Sequence, residues 1–316
     1  MIQIDLITGF LGAGKTTFLR HYANYFIKQG LQIGILENDF GAVNVDAMLL
    51  QDILSEQCDL EMVAGGCDKD CHRRRFKTKL IAMAMCGYDR VIVEPSGIFD
   101  MDEFFDVLHE DPLDRFYNIG SVITIIDANI EKNLSDASRY ILSSQVAQAG
   151  TIIYSHMEHI TPLELDATQK YVSECLESLN CKHQKELLSK QVILQKSFQD
   201  FTDTDFQAIL SSGYQIADYR KLWFDDQDAY QSLYFMNRPF TEDFLKETSK
   251  KIFQDVSCGK VFRIKGFLLQ DKTWLSVNIT REKSEFIPTL EGQEILIVIG
   301  ESLQKERIEE YFGKSN

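Results

Sequence analysis

The chain has 316 residues, of which 44% are hydrophobic, and it carries a formal net charge of −15 at pH 7. A chain of this size can bury a full core, and we expect it to divide into a larger and a smaller domain. Its negative charge argues against broad electrostatic binding of nucleic acid, because the phosphates would be repelled. No apolar run reaches the length of a bilayer span and no targeting segment precedes the first predicted strand, so we expect a cytoplasmic protein without membrane association.

The first predicted elements are a β-strand over residues 2–8 and a helix over residues 15–29. Between them, residues 9–16 read GFLGAGKT and match the pattern G-x-x-x-x-G-K-[ST]. Glycines in such a loop let backbone N–H groups turn toward a phosphate at the start of the helix, while the lysine adds a charge and the threonine a hydroxyl for Mg²⁺. The sequence therefore predicts a P-loop for a nucleoside triphosphate, with binding residues Gly9, Gly12, Ala13, Gly14, Lys15, Thr16 and Thr17.

Further along the chain, β-rich runs alternate with helical patterns up to about residue 212, which predicts an α/β fold with a mostly parallel sheet covered by helices. The predicted strands cover 32–37, 60–63, 90–94, 121–127, 151–154 and 192–195, and the predicted helices cover 72–86, 101–109, 135–148, 162–179 and 203–211. We predict a nucleotide-binding domain over 1–213, a linker over 214–230, and a small α+β domain with an antiparallel sheet over 231–316.

Acidic residues end two of the predicted parallel strands, where ligands of such sheets bind. Glu37 and Asp39 close the second strand, and the strand over 90–94 ends in Glu94, followed by Gly97. Glu94 stands where a Walker-B acid would hold Mg²⁺ through water, and the Gly97 N–H could reach a γ-phosphate. We therefore predict Lys15, Thr16 and Glu94 as catalytic residues and Thr16, Glu37, Asp39 and Glu94 as the Mg²⁺ region. Ile98 follows where small GTPases carry a water-orienting glutamine, so hydrolysis should be slow alone or completed by a partner.

These motifs, together with a GGC element at residues 65–67 and the run VITIIDA at residues 122–128, resemble those of the CobW-type P-loop GTPases. The resemblance extends over almost the whole chain, including RPF at 238–240 and VFRIKGF at 261–267. It implies a GTP-dependent metal chaperone or metal-insertion factor that delivers zinc or cobalt to a client metalloprotein. It also implies a metal site built on a C-x-C-C element, and related P-loop proteins often form homodimers.

The candidate metal site departs from the family pattern, because the chain has Cys67, Cys71 and then His72 in place of C-x-C-C. Two thiolates with His72, or with Asp70, could complete a tetrahedral zinc site. The alternative is that both cysteines are ordinary reduced thiols in a remodelled loop. Cys58 is near enough in sequence to be a further ligand.

The base-reading motif also departs from the pattern, since SHME at residues 155–158 aligns with N-K-x-D. Glu158 could accept hydrogen bonds from guanine and His156 could stack on the ring, but such a change gives up discrimination. Guanine preference is implied by the resemblance, and ATP or weak selectivity remains open.

The leading hypothesis is a GTP-hydrolysing switch in which γ-phosphate contacts at residues 37–41 and 94–97 alter the metal site. The runner-up is a nucleotide-dependent assembly or regulatory scaffold without metal transfer, and a small-molecule kinase is a third alternative. A basic cluster at Arg73, Arg74, Arg75, Lys77 and Lys79 is either a solvated helix face or a contact for phosphate or an acidic partner.

Overall fold

The structure is a computed structural model, and it describes residues 1–39, 50–64, 69–97, 99, 101–179, 188–217, 219, 231–281, 283–289 and 292–313. Contacts between residues divide the chain into two compact units, Met1–Leu222 and Trp223–Asn316. No helix among the described residues combines the length and the apolar character needed to cross a bilayer. Most of the predicted linker over 214–230 lies outside the described residues, and its boundaries stay a prediction.

The first unit alternates strands with helices. Its strands are β1 (Ile2–Gly9), β2 (Ile33–Asp39), β3 (Cys58–Ala64), β4 (Arg90–Pro95), β5 (Tyr117–Asp127), β6 (Thr151–Ser155) and β7 (Val192–Leu194). Its helices are α1 (Lys15–Lys28), α2 (Lys69–Met83), α3 (Met101–Leu108), α4 (Leu113–Phe116), α5 (Asp136–Gln148), α6 (Pro162–Ser178) and α7 (Asp203–Ser212). Short 3₁₀ turns lie at Gln51–Ile53, Met157–His159 and Phe198–Asp200.

The seven strands form one sheet in the order β3-β2-β4-β1-β5-β6-β7, and all its strand pairs are parallel. This confirms the predicted α/β fold. Successive side chains of a strand point to opposite faces, so each strand contributes to two cores. Ile92 packs with Phe18 and Tyr22 of α1 on one face. Val91 and Val93 pack in a second core with helices α2 and α3 on the other face.

A buried aspartate interrupts the otherwise apolar β1. The pairing of β1 with β5 shifts register between Ile4 and Leu6, and Asp5 is fully buried at this shift. Its Oδ1 accepts a hydrogen bond from the Ser121 backbone N–H at 2.8 Å, and its Oδ2 accepts from the Tyr22 hydroxyl at 2.8 Å and from Arg90 Nη1 at 2.6 Å. A Cβ atom on Gly120 would lie 2.3 Å from Asp5 Oδ1, so only glycine leaves room for this carboxylate.

The second unit is an antiparallel sheet with helices. It contains β8 (Gln231–Met236), α8 (Glu242–Gln254), a 3₁₀ turn (Val256–Cys258), β9 (Lys260–Gln270), β10 (Thr273–Ile279), β11 (Ser284–Thr289), β12 (Ile295–Glu301) and α9 (Lys305–Phe312). The strand order is β11-β10-β9-β12-β8, and every pair is antiparallel. Leu245 and Ile252 of α8 and Ile308 of α9 share one core with the sheet. The predicted small α+β architecture is therefore confirmed.

Candidate nucleotide-binding site

The loop between β1 and α1 has the backbone that its glycines predict. Gly9, Gly12 and Gly14 have φ angles of 146°, 80° and 89°, which residues with a Cβ rarely adopt. A Cβ on Gly9 would also lie 2.2 Å from the Ile125 carbonyl oxygen. Gly14 precedes α1 and has no side chain to cap it, so the first N–H groups of the helix face the loop without a capping partner from that position. Such a helix start is suited to an anion.

The P-loop helix and two strand ends bring hydroxyl and carboxylate groups together. Thr16 Oγ1 donates a hydrogen bond to Glu94 Oε1 at 2.8 Å, although the two residues are 78 positions apart. Glu94 lies opposite Glu37 in the pairing of β2 with β4, and both side chains are buried. Lys15, in the first turn of α1, is also buried. Two neighbouring buried carboxylates favour a cation, and oxygen ligands suit Mg²⁺.

The remaining predicted phosphate-site residues lie around this group. Ala13 is buried within the loop, whereas Thr17 is exposed on the first turn of α1. Asp39 ends β2, and its role as a Mg²⁺ ligand stays a prediction. Gly97 lies in the turn after β4, close to the P-loop. A Cβ atom at this position would lie 2.7 Å from the Leu11 backbone nitrogen. Gln145 of α5 also donates to the Gly97 carbonyl oxygen at 3.4 Å, which ties this turn to a third element. Ile98 lies outside the described residues.

Two further loops approach the P-loop at Gly14. A Cβ atom built on Gly14 would lie 3.6 Å from Phe198 Cε2, 3.8 Å from Ser155 Cβ and 3.9 Å from His156 Nε2. Ser155 ends β6 and His156 follows it, and Phe198 lies in the segment after β7. The carboxyl ends of these parallel strands lie at the same edge of the sheet as the P-loop. The predicted base-reading segment is therefore beside the predicted phosphate site.

Hydrogen bonds hold both predicted base-reading side chains. His156 Nδ1 lies 2.9 Å from Asp127 Oδ2, at the end of β5. Ser197 donates to Glu158 Oε1 at 3.2 Å. The sequence pattern predicts Asp127 at a strand end but assigns it no role, and it does not single out Ser197 or Phe198. Their position just after β7, the next strand of the parallel sheet, is the signal that could have identified them.

The predicted transition-metal site is described only in part, because Cys67 lies outside the described residues. Cys71 is half-buried and His72 is fully buried in the first turn of α2, which begins at Lys69. Within the ranges that the structure describes, no three histidine, cysteine or acidic residues form a group that could hold a metal ion. The site at Cys67, Cys71 and His72 stays a prediction. Cys58 belongs to the core, and burial raises the pKa of its thiol to about 12, which disfavours the thiolate that a metal needs.

Three of the five cations in the basic cluster of α2 pair with carboxylates within the chain. Arg73 and Lys77 bind the two oxygens of Glu110 at 2.5 and 2.6 Å, and Lys79 binds Glu61 at 2.7 Å. The two hydrogen bonds from Lys77 and Arg73 lower the pKa of Glu110. Because these cations already contact carboxylates, the structure favours the interpretation of this cluster as a helix face.

A parallel sheet with a glycine-rich loop between its first strand and first helix defines a P-loop nucleotide-binding domain. The family model described as "CobW/HypB/UreG, nucleotide-binding domain" matches residues 3–184. The chain belongs to this family, as its motifs indicate.

Known proteins extend this comparison. The chain is 31% identical over 163 residues to the zinc chaperone YjiA of Escherichia coli (strain K12), covering 48% of each chain. It is 26% identical over 188 residues to zinc-regulated GTPase metalloprotein activator 1 of Schizosaccharomyces pombe, covering 57% of this chain and 44% of that protein. The chain thus spans about half the length of these curated relatives. The crystal structure of the Zn(II)-bound YjiA GTPase from E. coli is 20% identical, covers 98% of both chains and has a TM-score of 0.40.

Proposed function

We propose that this protein is a GTPase that uses Mg²⁺ and transfers a metal ion to a client metalloprotein. The observation that carries the nucleotide part is the contact of Thr16 with Glu94 at 2.8 Å, beside a glycine loop whose backbone conformation residues with a Cβ rarely adopt. A hydroxyl and a carboxylate from two separate motifs meet at the helix start that carries Lys15, which supports phosphoryl transfer at this site.

Each group has a definite task in this proposal. The loop amides and Lys15 bind the β- and γ-phosphates and stabilise the charge that develops on the transferring phosphoryl group. Thr16 would ligate Mg²⁺, and Glu94 and Asp39 would hold its water ligands, with Glu37 adding negative charge nearby. The ion would supply charge neutralisation for the phosphates. Gly97, against the P-loop, would sense the γ-phosphate through its N–H.

The chemistry of the acid favours guanine over adenine. A carboxylate such as that of Glu158 can accept hydrogen bonds from the ring N–H and the exocyclic amino group of guanine together. Adenine has only an amino donor on that edge, and its ring nitrogen would repel the carboxylate. Ser197 donates a hydrogen bond to Glu158 Oε1 and so helps to fix the position of this side chain. ATP is the alternative substrate, and selectivity should be weaker than for an aspartate at this site.

Metal transfer is supported by the names of the relatives, one a zinc chaperone and the other a zinc-regulated GTPase metalloprotein activator. Cys67, Cys71 and His72 are the candidate ligands for the cargo, zinc or cobalt, because thiolate and imidazole suit both ions. This segment lies between the nucleotide-contacting ends of β2 and β4 in the chain, so a change at the γ-phosphate could reach it.

The nucleotide proposal is tested by measuring phosphate release from Mg·GTP and Mg·ATP. Wild type should release phosphate faster from GTP than from ATP. The substitutions Lys15→Ala and Glu94→Gln should each reduce the rate of release from GTP by about a hundredfold or more. Faster phosphate release from ATP than from GTP would show that the protein prefers adenine to guanine. Phosphate release that requires a small acceptor and does not occur with water would identify a kinase.

The metal proposal is tested separately by zinc titration of the protein loaded with a non-hydrolysable GTP analogue. The Cys67→Ser/Cys71→Ser variant should bind zinc at least about tenfold more weakly than wild type. Cys86→Ser is the matched control, because Cys86 is an exposed thiol beyond the end of α2. Equal zinc affinity in all three proteins would contradict metal transfer and favour the alternative, a nucleotide-dependent scaffold.

A further inference from the structure

We infer that Asp127 is a positioning residue for the nucleotide base: it fixes the ring of His156, and that ring is the platform on which the purine stacks. The inference rests on the proposed function, because it needs a nucleotide bound at the P-loop. Asp127 ends β5 and lies opposite Ser155 in the pairing with β6, so the two strand ends bring the carboxylate beside His156. The distance from His156 Nδ1 to Asp127 Oδ2 is 2.9 Å.

Both partners of this contact are themselves held. The other carboxylate oxygen of Asp127 accepts a hydrogen bond from the Asn129 backbone N–H at 2.9 Å, which closes a turn after β5 and fixes the carboxylate. His156 has a φ angle of 54°, in the left-handed region, and leads directly into the 3₁₀ turn Met157–His159. Residues with a Cβ adopt this backbone rarely, and such residues concentrate at functional sites.

The contact determines which edge of the imidazole faces the P-loop. A carboxylate only accepts hydrogen bonds, so Nδ1 of His156 carries a proton and donates a hydrogen bond to Asp127 Oδ2. Nε2 is then directed to the P-loop side, 3.9 Å from where a Cβ of Gly14 would stand. A lysine at this position would present a point charge that needs no particular orientation. A planar ring stacks only when its plane is set, and Asp127 sets it.

Phe198 completes the argument for a base platform. Its ring edge lies 3.6 Å from the same Gly14 Cβ position, so imidazole and phenyl groups from two loops both reach the start of α1. Phe198 also packs against Phe18 of α1, with ring centroids 5.5 Å apart, which holds it in place. Aromatic rings beside a phosphate-binding helix start offer π-faces to a purine.

The test compares two probes with two phosphates each, Mg·GDP and Mg·pyrophosphate, the second of which has no nucleoside. The ratio of the pyrophosphate to the GDP dissociation constant measures how much affinity the nucleoside adds. His156→Ala should reduce this ratio about tenfold. Asp127→Ser keeps an oxygen for the Asn129 N–H but is too short to reach His156, and it should reduce the ratio by the same factor. The double variant should lose no more than either single variant, because Asp127 acts through His156.

Two controls separate positioning from stability. Asp127→Asn keeps an oxygen for the Asn129 N–H and turns its amino group toward Nδ1, so the ring stays in place as the other tautomer and most of the ratio is retained. Glu164→Ala removes the capping box of α6, in which Thr161 N–H and hydroxyl donate to Glu164, and it should leave the ratio unchanged.

Additive losses in the double variant would overturn the inference, as would an equal weakening of both probes by Asp127→Ser. If wild type binds pyrophosphate as tightly as GDP, the base platform is wrong while the phosphate site stands. If wild type binds neither probe, the proposed function fails together with the inference.

Discussion

At the scale of single residues, Asp5 is a position where the fold depends on a buried charge. Its side chain is fully buried, and that of Arg90, its ionic partner, is only 16% exposed. Burial and the neighbouring carboxylate raise the pKa of Tyr22, so its hydroxyl remains a donor to Asp5. Removing one member of a buried pair leaves an uncompensated charge, which costs more than the pair contributes.

We therefore expect Asp5→Ala to lower the free energy of unfolding by about 3 kcal/mol or more. Urea unfolding followed by circular dichroism measures this change. Asp52→Ala is the matched control, because it removes the carboxylate from an exposed ion pair with Arg20 and should cost less than about 1 kcal/mol. Equal changes in the free energy of unfolding for the two substitutions would show that the Arg90 side chain becomes solvated when Asp5 is removed.

Gly97 is the residue at which added volume should affect function more than stability. A Cβ there would overlap the Leu11 backbone nitrogen at 2.7 Å, and the P-loop backbone cannot yield without disturbing its glycine turns. Gly97→Ala should therefore reduce the GTP hydrolysis rate about tenfold or more, since small displacements of a catalytic group have large effects.

The control for Gly97 is Gly87→Ala. Gly87 has a φ angle of 80° and nothing within 4 Å of its Cβ position, so alanine should cost about 1 kcal/mol of stability through backbone strain alone. Hydrolysis should be unchanged in this variant at a temperature where both proteins are folded. If the Gly97→Ala variant hydrolysed GTP at the wild-type rate, the turn after β4 would be free to move away from the P-loop.

At the scale of elements, α2 is held through an ion pair that depends on pH. Glu110, in the segment between α3 and α4, receives Arg73 and Lys77 from one face of α2. These contacts lower the pKa of Glu110 from its ordinary value of 4.5. The carboxylate therefore stabilises the fold above the ordinary value, and this contribution is lost as the pH falls through the lower pKa of the folded chain.

Glu110→Gln should accordingly cost up to about 1 kcal/mol at neutral pH, because the side chain is partly exposed and solvent screens the pairs. The difference between wild type and Glu110→Gln should shrink as the pH falls below 4.5. Urea unfolding at several pH values measures it. If the difference in the free energy of unfolding were the same at all these pH values, packing and not charge would hold Glu110 in place.

Most elements could be predicted from the sequence because the parallel strands are buried on both faces and so read as continuous apolar runs. The run at 90–94 and the structural strand Arg90–Pro95 agree to one residue. Deviations occur at element ends, where apolar patterning stops being informative. Helix α2 was expected over 72–86 but runs from Lys69 to Met83, and β5 begins at Tyr117, four residues before the expected start.

The site could be predicted only where one short motif contains the chemistry. The P-loop residues are consecutive, and the fixed spacing of their glycines and lysine identifies the motif. The contacts of Thr16 with Glu94 and of His156 with Asp127 join residues 78 and 29 positions apart. Such pairs follow from strand order, and the order β4-β1-β5-β6 becomes known only when the sheet is assembled. The same holds for Asp5, whose three donors come from different elements.

At the scale of the whole molecule, the net charge of −15 opposes the approach of an anionic nucleotide. The site itself contains two buried carboxylates, Glu37 and Glu94, which lie opposite each other on neighbouring strands. Long-range repulsion between exposed charges is screened over about 10 Å at 0.1 M salt, whereas short contacts of Lys15 and the loop amides with phosphates are screened far less. Salt should therefore accelerate the encounter.

We expect the association rate constant of Mg·GDP to rise about two- to threefold between about 20 and 150 mM salt, because screening removes repulsion by the whole chain. Stopped-flow fluorescence with a labelled nucleotide measures this rate, and competition with unlabelled GDP removes the effect of the label. Labelled guanosine, which has no phosphate, is the control, and its rate should not respond to salt. A rate that falls with salt would mean that the local field of Lys15 and the α1 start outweighs the charge of the rest of the molecule.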